Sequence, residues 1–354
     1  MKKVVMITDV DFWQGGAGHR SRISELARYL HKFTQLTILL VNQPKNANLE
    51  LKHGYLNIIE VKDLLKLKRS NQQLIMAQII QSLNCDCCLV EYIHLSYLID
   101  TLPPQIKRIL DTHDIISQRK ESFNKAGYVD YYHLPISFDE EIEIYKRYDN
   151  ILLIQDQDYC TITPLLETGR TLLVPHAVSL ERKNVATNAY SVSFVGSTYV
   201  PNVDGIHWFL DKVWPRIADN KPLLHLFGNV SQFVSPTHRV IKRGFYPDLN
   251  SIYQQVDIAI NPVQFGSGLK IKNVEALSAG LPLITMKHGL SGLEDAQGTA
   301  LIAVDNEDEF VEELTDLLGD YNRRVRLSQN AYDYALTKFS PQACYLPLLN
   351  VINQ

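Results

Sequence analysis

Short apolar runs alternate along the chain with segments in which apolar residues recur every three or four positions. Runs at residues 4–8, 36–41, 88–93, 107–111, 150–154 and 170–174 have strand length and are apolar enough to be covered on both faces. Helical spacing lies between them: Ile23, Leu26, Ala27 and Leu30 form one stripe, and residues 71–83 and the charged 137–148 read as further helices. Residues 175–190 are polar, carry no periodicity and read as a linker. The pattern then restarts. Strands are predicted at 191–195, 223–227, 240–243, 256–260 and 300–304, and helices at 203–218, around Ile252, at 307–318 and at 322–339. Trp208, Phe209 and Trp214 mark the apolar side of the first of these helices. Strand–helix alternation on both sides of one linker predicts an α/β chain of two doubly wound, Rossmann-like domains facing across a cleft. The expected domains are residues 1–178 and 179–354.

Residues 265–294, FGSGLKIKNVEALSAGLPLITMKHGLSGLE, carry the strongest chemical signal. Gly266 and Gly268, with Ser267 between them, allow a tight turn and close approach to a ligand. Ile271, Val274, Leu277 and Ser278 follow helical spacing, and Gly280 and Pro282 stop that helix. A helix entered from such a loop points backbone N–H groups and a positive dipole end at its mouth, which is an anion site. Lys270 and Lys272 add formal charge there, and Glu275 offers a carboxylate to hydroxyls. Residues two apart on a helix point in nearly opposite directions, so Lys270 is expected to serve the loop while Lys272 turns away from it. A nucleotide-sugar presents both phosphates and hydroxyls.

The first half begins with strand, glycine loop, helix and strand, the order of a mononucleotide-binding unit. A dinucleotide-binding dehydrogenase is excluded. After Gly16 and Gly18 the third glycine of the fingerprint falls on Ser21, and the second strand ends in Asn42 and Gln43 rather than an acidic residue. His113 and Asp114 follow the predicted strand 107–111, and Glu91 lies at the end of the preceding one. Ligands of open α/β sheets bind at such strand ends. Ser117 and Arg119 lie within reach of the same edge, though the sequence does not aim their side chains.

The segment GSGLKIKNVEALSAGLPLIT resembles the donor-binding segment of retaining glycosyltransferases of the GT-B fold, in glycosyltransferase family 4. The likeness extends to FVGSTYVPNVDGIHWFLDKVWP and RGFYPDLNSIY. It implies that Glu275 binds the donor ribose, that Gly15 and Gly16 approach the donor phosphates and sugar, with Arg20 a weaker candidate, and that Phe245 and Tyr246 lie against the base. His113 would line the pocket near the transferred sugar. Glu91, Asp114 and Arg119 are the candidates for acceptor contact. His113 and Lys270 are the candidate catalytic residues, Lys270 by stabilising the leaving diphosphate, and front-side displacement is the mechanism the resemblance implies. It also implies that the C-terminal helix, residues 342–352 here, packs back on the first domain. Three positions depart from the family pattern. Ser267 stands where many relatives have a second glutamate, and Ser197 and Asn202 stand where many have the Arg and Lys that bind the diphosphate. A sugar-nucleotide epimerase of the same fold and a GT-B subunit without chemistry are therefore the competing readings.

Composition narrows the partners. The chain has 354 residues, 45% of them hydrophobic and 21% charged, and a net charge of -4, which argues against a broad nucleic-acid surface. Neither a signal peptide nor a bilayer-spanning run is expected, so a cytoplasmic protein is. Residues 61–69, VKDLLKLKR, read as a surface helix burying one leucine face; the alternative is peripheral contact with the inner membrane surface. Cys85, Cys87 and Cys88 lack the ligand spacing of a zinc site and read as buried free thiols. No metal and no cofactor beyond the nucleotide-sugar substrate are expected, with a glycan, a lipid-linked molecule or a protein as acceptor.

Overall fold

The computed structural model describes residues 1–41, 43, 49, 53–131, 134–218, 222–246 and 248–354; Asn42 falls outside them. The chain divides into two compact units. Unit 1 comprises residues 1–15, 19–175 and 344–354, and unit 2 comprises residues 16–18 and 176–343.

Unit 1 is built on strands β1 (Lys3–Thr8), β2 (Gln35–Val41), β3 (Asn57–Val61), β4 (Cys87–Glu91), β5 (Lys107–Asp111), β6 (Asn150–Leu153) and β7 (Thr171–Leu173). They form one parallel sheet in the order β3-β2-β1-β4-β5-β6-β7. Helices α1 (Gly18–Phe33), α2 (Arg69–Ser82), α3 (Ile116–Lys125), α4 (Phe138–Tyr145) and α5 (Asp156–Ile162) connect the strands. β4 and β6 are buried along their whole length because helices cover both faces of a parallel sheet. The three thiols at β4 are buried among apolar side chains, which pushes all three above the usual thiol range.

Unit 2 repeats the plan with β8 (Ser191–Val195), β9 (Leu223–Phe227), β10 (Val240–Gly244), β11 (Ile258–Asn261), β12 (Leu283–Met286) and β13 (Ile302–Val304). Their order is β10-β9-β8-β11-β12-β13, again all parallel. The helices are α6 (Val200–Lys212), α7 (Leu249–Tyr253), α8 (Ile271–Ser278), α9 (Glu307–Gly319) and α10 (Tyr321–Phe339). The last helix, α11 (Pro341–Asn353), belongs to unit 1 from Cys344 onward. There the Tyr345 ring lies 5.3 Å from that of Tyr29, and Lys107 Nζ donates to the Val351 carbonyl. Residues 175–190 contain neither helix nor strand.

Two local expectations are corrected, and one strand was not expected: β3 carries no sequence signal strong enough to predict it. Residues 61–69 are not one helix. Val61 ends β3, Asp63 takes a left-handed conformation (φ 55), a single 3-10 turn follows over Leu64–Lys66, and α2 starts only at Arg69. The leucines of this stretch do not share a buried face: Leu64 is buried, whereas Leu65 and Leu67 are exposed. The predicted strand 88–93 also stops early, because Tyr92 turns the chain at φ 73.

Candidate functional site

In each sheet the strand order reverses beside the first strand, at β1/β4 in unit 1 and β8/β11 in unit 2. Ligands of doubly wound folds bind beyond the strand ends at such switch points. The candidate residues collect at these two edges.

In unit 2, β11 runs into the loop holding Gly266 (φ 123) and Gly268 (φ 67), conformations that side-chain-bearing residues avoid. Lys270 precedes the first helical residue of α8, so it is a loop residue, and its ammonium folds back to donate to the carbonyls of Gly268 (2.8 Å) and Ser267 (3.3 Å). Lys272 points elsewhere. Its ammonium donates to Asn202 Oδ1, near the start of α6, and lies 4.4 Å from the centre of the Phe194 ring. The lysines part as helical geometry requires, but Lys272 turns onto the Asn202 position rather than toward solvent. Burial lowers the Lys272 ammonium to about 7, and the charge of Lys270 acts in the same direction.

Glu275 is only 5% exposed and accepts a hydrogen bond from the Tyr253 hydroxyl of α7 (3.0 Å). Burial raises its carboxyl to about 7 against the opposing pull of Tyr253 and Lys272. Behind the helix, buried Asn273 accepts from Asn261 of β11 (2.9 Å) and donates to the Gly289 carbonyl of the second glycine-rich loop (3.0 Å), tying β11 and that loop to one helix. His288 of that second loop, which sequence reasoning missed, has a buried Nε2 without a hydrogen-bond partner among the described residues. Burial first, and then Lys270, hold it down to about 3. Phe245 and Tyr246 follow β10. Phe245 is exposed, and Tyr246 packs edge-on against Phe227 at 5.3 Å. Ser197 Oγ accepts from Asn202 Nδ2 (3.2 Å), so the two residues that replace the usual basic pair are bonded to each other.

Gly15 (φ 67), the last residue of the first stretch of unit 1, and Gly16 (φ 73), which is counted with unit 2, follow β1 and a 3-10 turn. Arg20 holds this turn: it pairs with Asp11 (2.7 and 2.8 Å) and donates to the Gly15 carbonyl (3.1 Å). At the ends of β4 and β5, Tyr92 and His113 both adopt positive φ (73 and 63) and stack face to face, 3.9 Å apart and 9° from parallel. Strained non-glycine backbone of this kind collects at functional sites. His113 Nε2 lies 2.7 Å from Glu91 Oε2. Burial lowers the His113 imidazole to about 4, and it drives the Glu91 carboxyl well above the usual carboxylate range. Beneath them Arg22 of α1 makes a buried bidentate pair with Asp111 (2.8 and 2.9 Å) and donates to the Val174 carbonyl.

The remaining candidates of this edge are engaged with one another. Arg119 chelates Asp114 (2.6 and 2.9 Å), and the Ser117 hydroxyl donates to Glu141 (2.6 Å), whose carboxylate also accepts the first amides of α3. Glu91 is 0% exposed and faces His113. His19, also overlooked in the sequence, sits with its ring 6.3 Å from that of Tyr92 and is lowered to about 4 by burial and by His113 and Arg20. Among the described residues Glu91, Asp111 and His113 bring three potential metal-ligand atoms within 4.8 Å. The guanidinium of Arg22 already occupies both Asp111 oxygens, a poor donor set for a cation.

Sheet order, switch points and loop geometry define a GT-B protein, with two Rossmann-like α/β units in one chain. Residues 189–320 match the family model for glycosyl transferases group 1. An uncharacterized 44.6 kDa protein in the cps region of Klebsiella pneumoniae is 22% identical over 268 residues, 70% of this chain and 68% of that one. Among solved structures, Anabaena Alr3699/HepE in complex with UDP and glucose aligns over 100% of both chains, with a TM-score of 0.76 and 13% identity. Sucrose-phosphate synthase from Thermosynechococcus elongatus aligns over 100% of this chain and 99% of that one, with a TM-score of 0.77 and 12% identity. Among the described residues no helix is long and apolar enough to cross a membrane.

Proposed function

We propose that this chain transfers a sugar, with retention of configuration, from a nucleotide-sugar donor to a glycan, lipid-linked or protein acceptor. The observation that carries the reading is α8: its glycine loop and Lys270 stand at the N-terminus, Lys272 on the Asn202 side, and Glu275 on Tyr253. Helix amides and the two ammonium groups suit a diphosphate, and the Glu275 carboxyl suits ribose hydroxyls. The similar Anabaena structure holds UDP and glucose, which supports a nucleotide donor. Stabilisation of the leaving diphosphate by fixed positive groups is the main catalytic contribution, and it asks for no metal. His113 and the unit 1 loops hold the sugar and acceptor. Exposed Leu65 and Leu67 among Lys62, Lys66, Lys68 and Arg69 are the proposed peripheral contact with an anionic membrane surface.

The test is incubation of the purified chain with a panel of nucleotide-sugars, with and without acceptors, following release of nucleoside diphosphate and the anomeric form of the product. Acceptor-dependent release with retained configuration supports the proposal. Conversion of donor without any acceptor means an epimerase. Donor binding with neither hydrolysis nor transfer means a non-catalytic subunit, the reading that Ser197 and Asn202 motivate.

A further inference from the structure

The edge of unit 1 holds two carboxylates side by side. Glu91 and Asp111 are register partners on β4 and β5, and both are fully buried. Arg22 is the cation bonded beneath this pair, and both of its bonded nitrogens go to Asp111 and the Val174 carbonyl. Among the described residues the Glu91 side chain bonds to the imidazole of His113, its Oε1 has no hydrogen-bond partner, and Arg22 acts on it only without a bond. A buried carboxylate without a bonded cation, beside another carboxylate, is an unfavourable charge placement. An imidazolium at His113 would meet the opposite objection. It would sit in a buried position with Arg22 and Arg119 nearby; those arginines already chelate Asp111 and Asp114, and the remaining counter-charge, Glu91 at 2.7 Å, would itself have to stay ionised beside Asp111. Tyr92 covers the face of the ring and supplies no charge, and His19 is the other titratable group near it.

We propose that Glu91 carries a proton and donates it in a hydrogen bond to His113 Nε2, fixing the imidazole as its Nδ1–H tautomer, so that Glu91 acts as the positioning residue of His113. The neutral pair removes both unfavourable charges at once. It leaves one carbonyl-type oxygen of Glu91 unpaired instead of a charged one, which is the smaller penalty. The shift of both groups toward their neutral forms agrees with this arrangement. The tautomer decides what His113 offers outward: a donor N–H at Nδ1. In the proposed transfer reaction that N–H is suited to a sugar hydroxyl or ring oxygen. This last step rests on the proposed function; the protonation of Glu91 does not.

The experiment is nitrogen NMR of the full chain labelled at histidine. The His113 signals are identified by their disappearance in His113→Gln and, should that variant fold poorly, by their perturbation in Glu91→Gln. The expected result at pH 7 is a protonated-type Nδ1 and an unprotonated Nε2, with no change down to pH 5. Glu91→Gln, whose amide can also donate to Nε2, should keep this tautomer, whereas Glu91→Leu should lose it. A protonated Nε2 at pH 7, an imidazolium above pH 6, or a tautomer change in Glu91→Gln overturns the proposal. A turnover comparison separates the two layers. If wild type transfers sugar, Glu91→Gln should keep kcat within about threefold and Glu91→Leu should lose kcat with little change in KM for the donor. If wild type transfers nothing but the NMR signature holds, the functional reading fails and the positioning role of Glu91 stands.

Discussion

The two strand-end edges hold similar residue types and treat charge in opposite ways. In unit 1 the charges close on one another, Arg22 on Asp111, Arg119 on Asp114 and Glu141 on the start of α3, while Glu91 and His113 form a buried hydrogen-bonded pair. In unit 2 the ammonium of Lys272 is held by an uncharged amide and an aromatic face, and the two loops around it are shaped by glycine. A closed charge network specifies geometry and resists change. Cations held by neutral groups remain available to an anion. The contrast fixes the shape of the first edge and leaves the cations of the second held by neutral groups, and each difference can be broken separately.

The largest effect should come from Arg22→Met, which strands Asp111 as an uncompensated buried charge and should cost about 3–5 kcal/mol of stability. Urea denaturation measures this, and the double variant Arg22→Met/Asp111→Leu should recover most of the loss. A single variant as stable as wild type would show that the network holds nothing in place. Next in size is Glu275→Gln. If Glu275 contacts the ribose, the change should weaken nucleoside-diphosphate binding by about 1.5–3 kcal/mol while the melting temperature stays nearly constant, since the amide oxygen can still accept from Tyr253. Calorimetry with unaltered affinity would remove Glu275 from the nucleotide's contacts.

Gly289→Ala should follow at about 1–3 kcal/mol of lost stability, the usual range for overpacking. A Cβ there would lie 1.9 Å from Thr285 Oγ1 and 3.0 Å from Asn273 Nδ2, inside the network that ties the second loop to α8. Thr285→Ala in the same chain should relieve it, and a lack of rescue would mean that the strain lies elsewhere.

The smallest effect is a pH dependence. The folded Lys272 is depressed to about 7 from an ordinary lysine value of about 10.4, so the folded state disfavours its charged form. Its destabilising contribution therefore grows as pH falls from about 10 toward 7 and is complete below that. Lys272→Met should gain stability relative to wild type across that window. Glu275, raised to about 7, works in the opposite sense: its contribution is present below about pH 4.3 and is lost as pH rises through 7. An anionic donor favours the charged lysine, so affinity for a nucleotide-sugar should fall between pH 6 and 9. In Lys272→Met this fall should flatten, leaving what Glu275 contributes, and the same slope in both chains would place the phosphates away from Lys272.

The fold was largely readable because its signals are local. Lys107–Asp111, Ser191–Val195 and Leu223–Phe227 stand at the residues their apolar runs predict. β3 was not readable, because Asn57 and Glu60 interrupt a short run that becomes a strand only by pairing with β2. The loop and stripe of α8 were equally local. The partners were not: Asn202 lies 70 residues from Lys272, Asp111 lies 89 from Arg22, and Glu91 lies 22 from His113. Such pairs are set by sheet order and register, which periodicity does not encode. The positive φ of Tyr92 and His113 was hidden for the same reason, because nothing in either residue type announces a left-handed turn.

The assignment of residues 344–354 to unit 1 has a consequence for how the protein is made. Unit 1 emerges first from the ribosome, yet the segment that carries Tyr345 and the Val351 carbonyl arrives only after all of unit 2 has been synthesised. Its last packing step is thus delayed, and Tyr29 and Lys107 wait for partners while unit 2 folds. A nascent chain halted after residue 343 would present a complete second unit and an unfinished first one, with the surface meant for residues 344–354 open to chaperones.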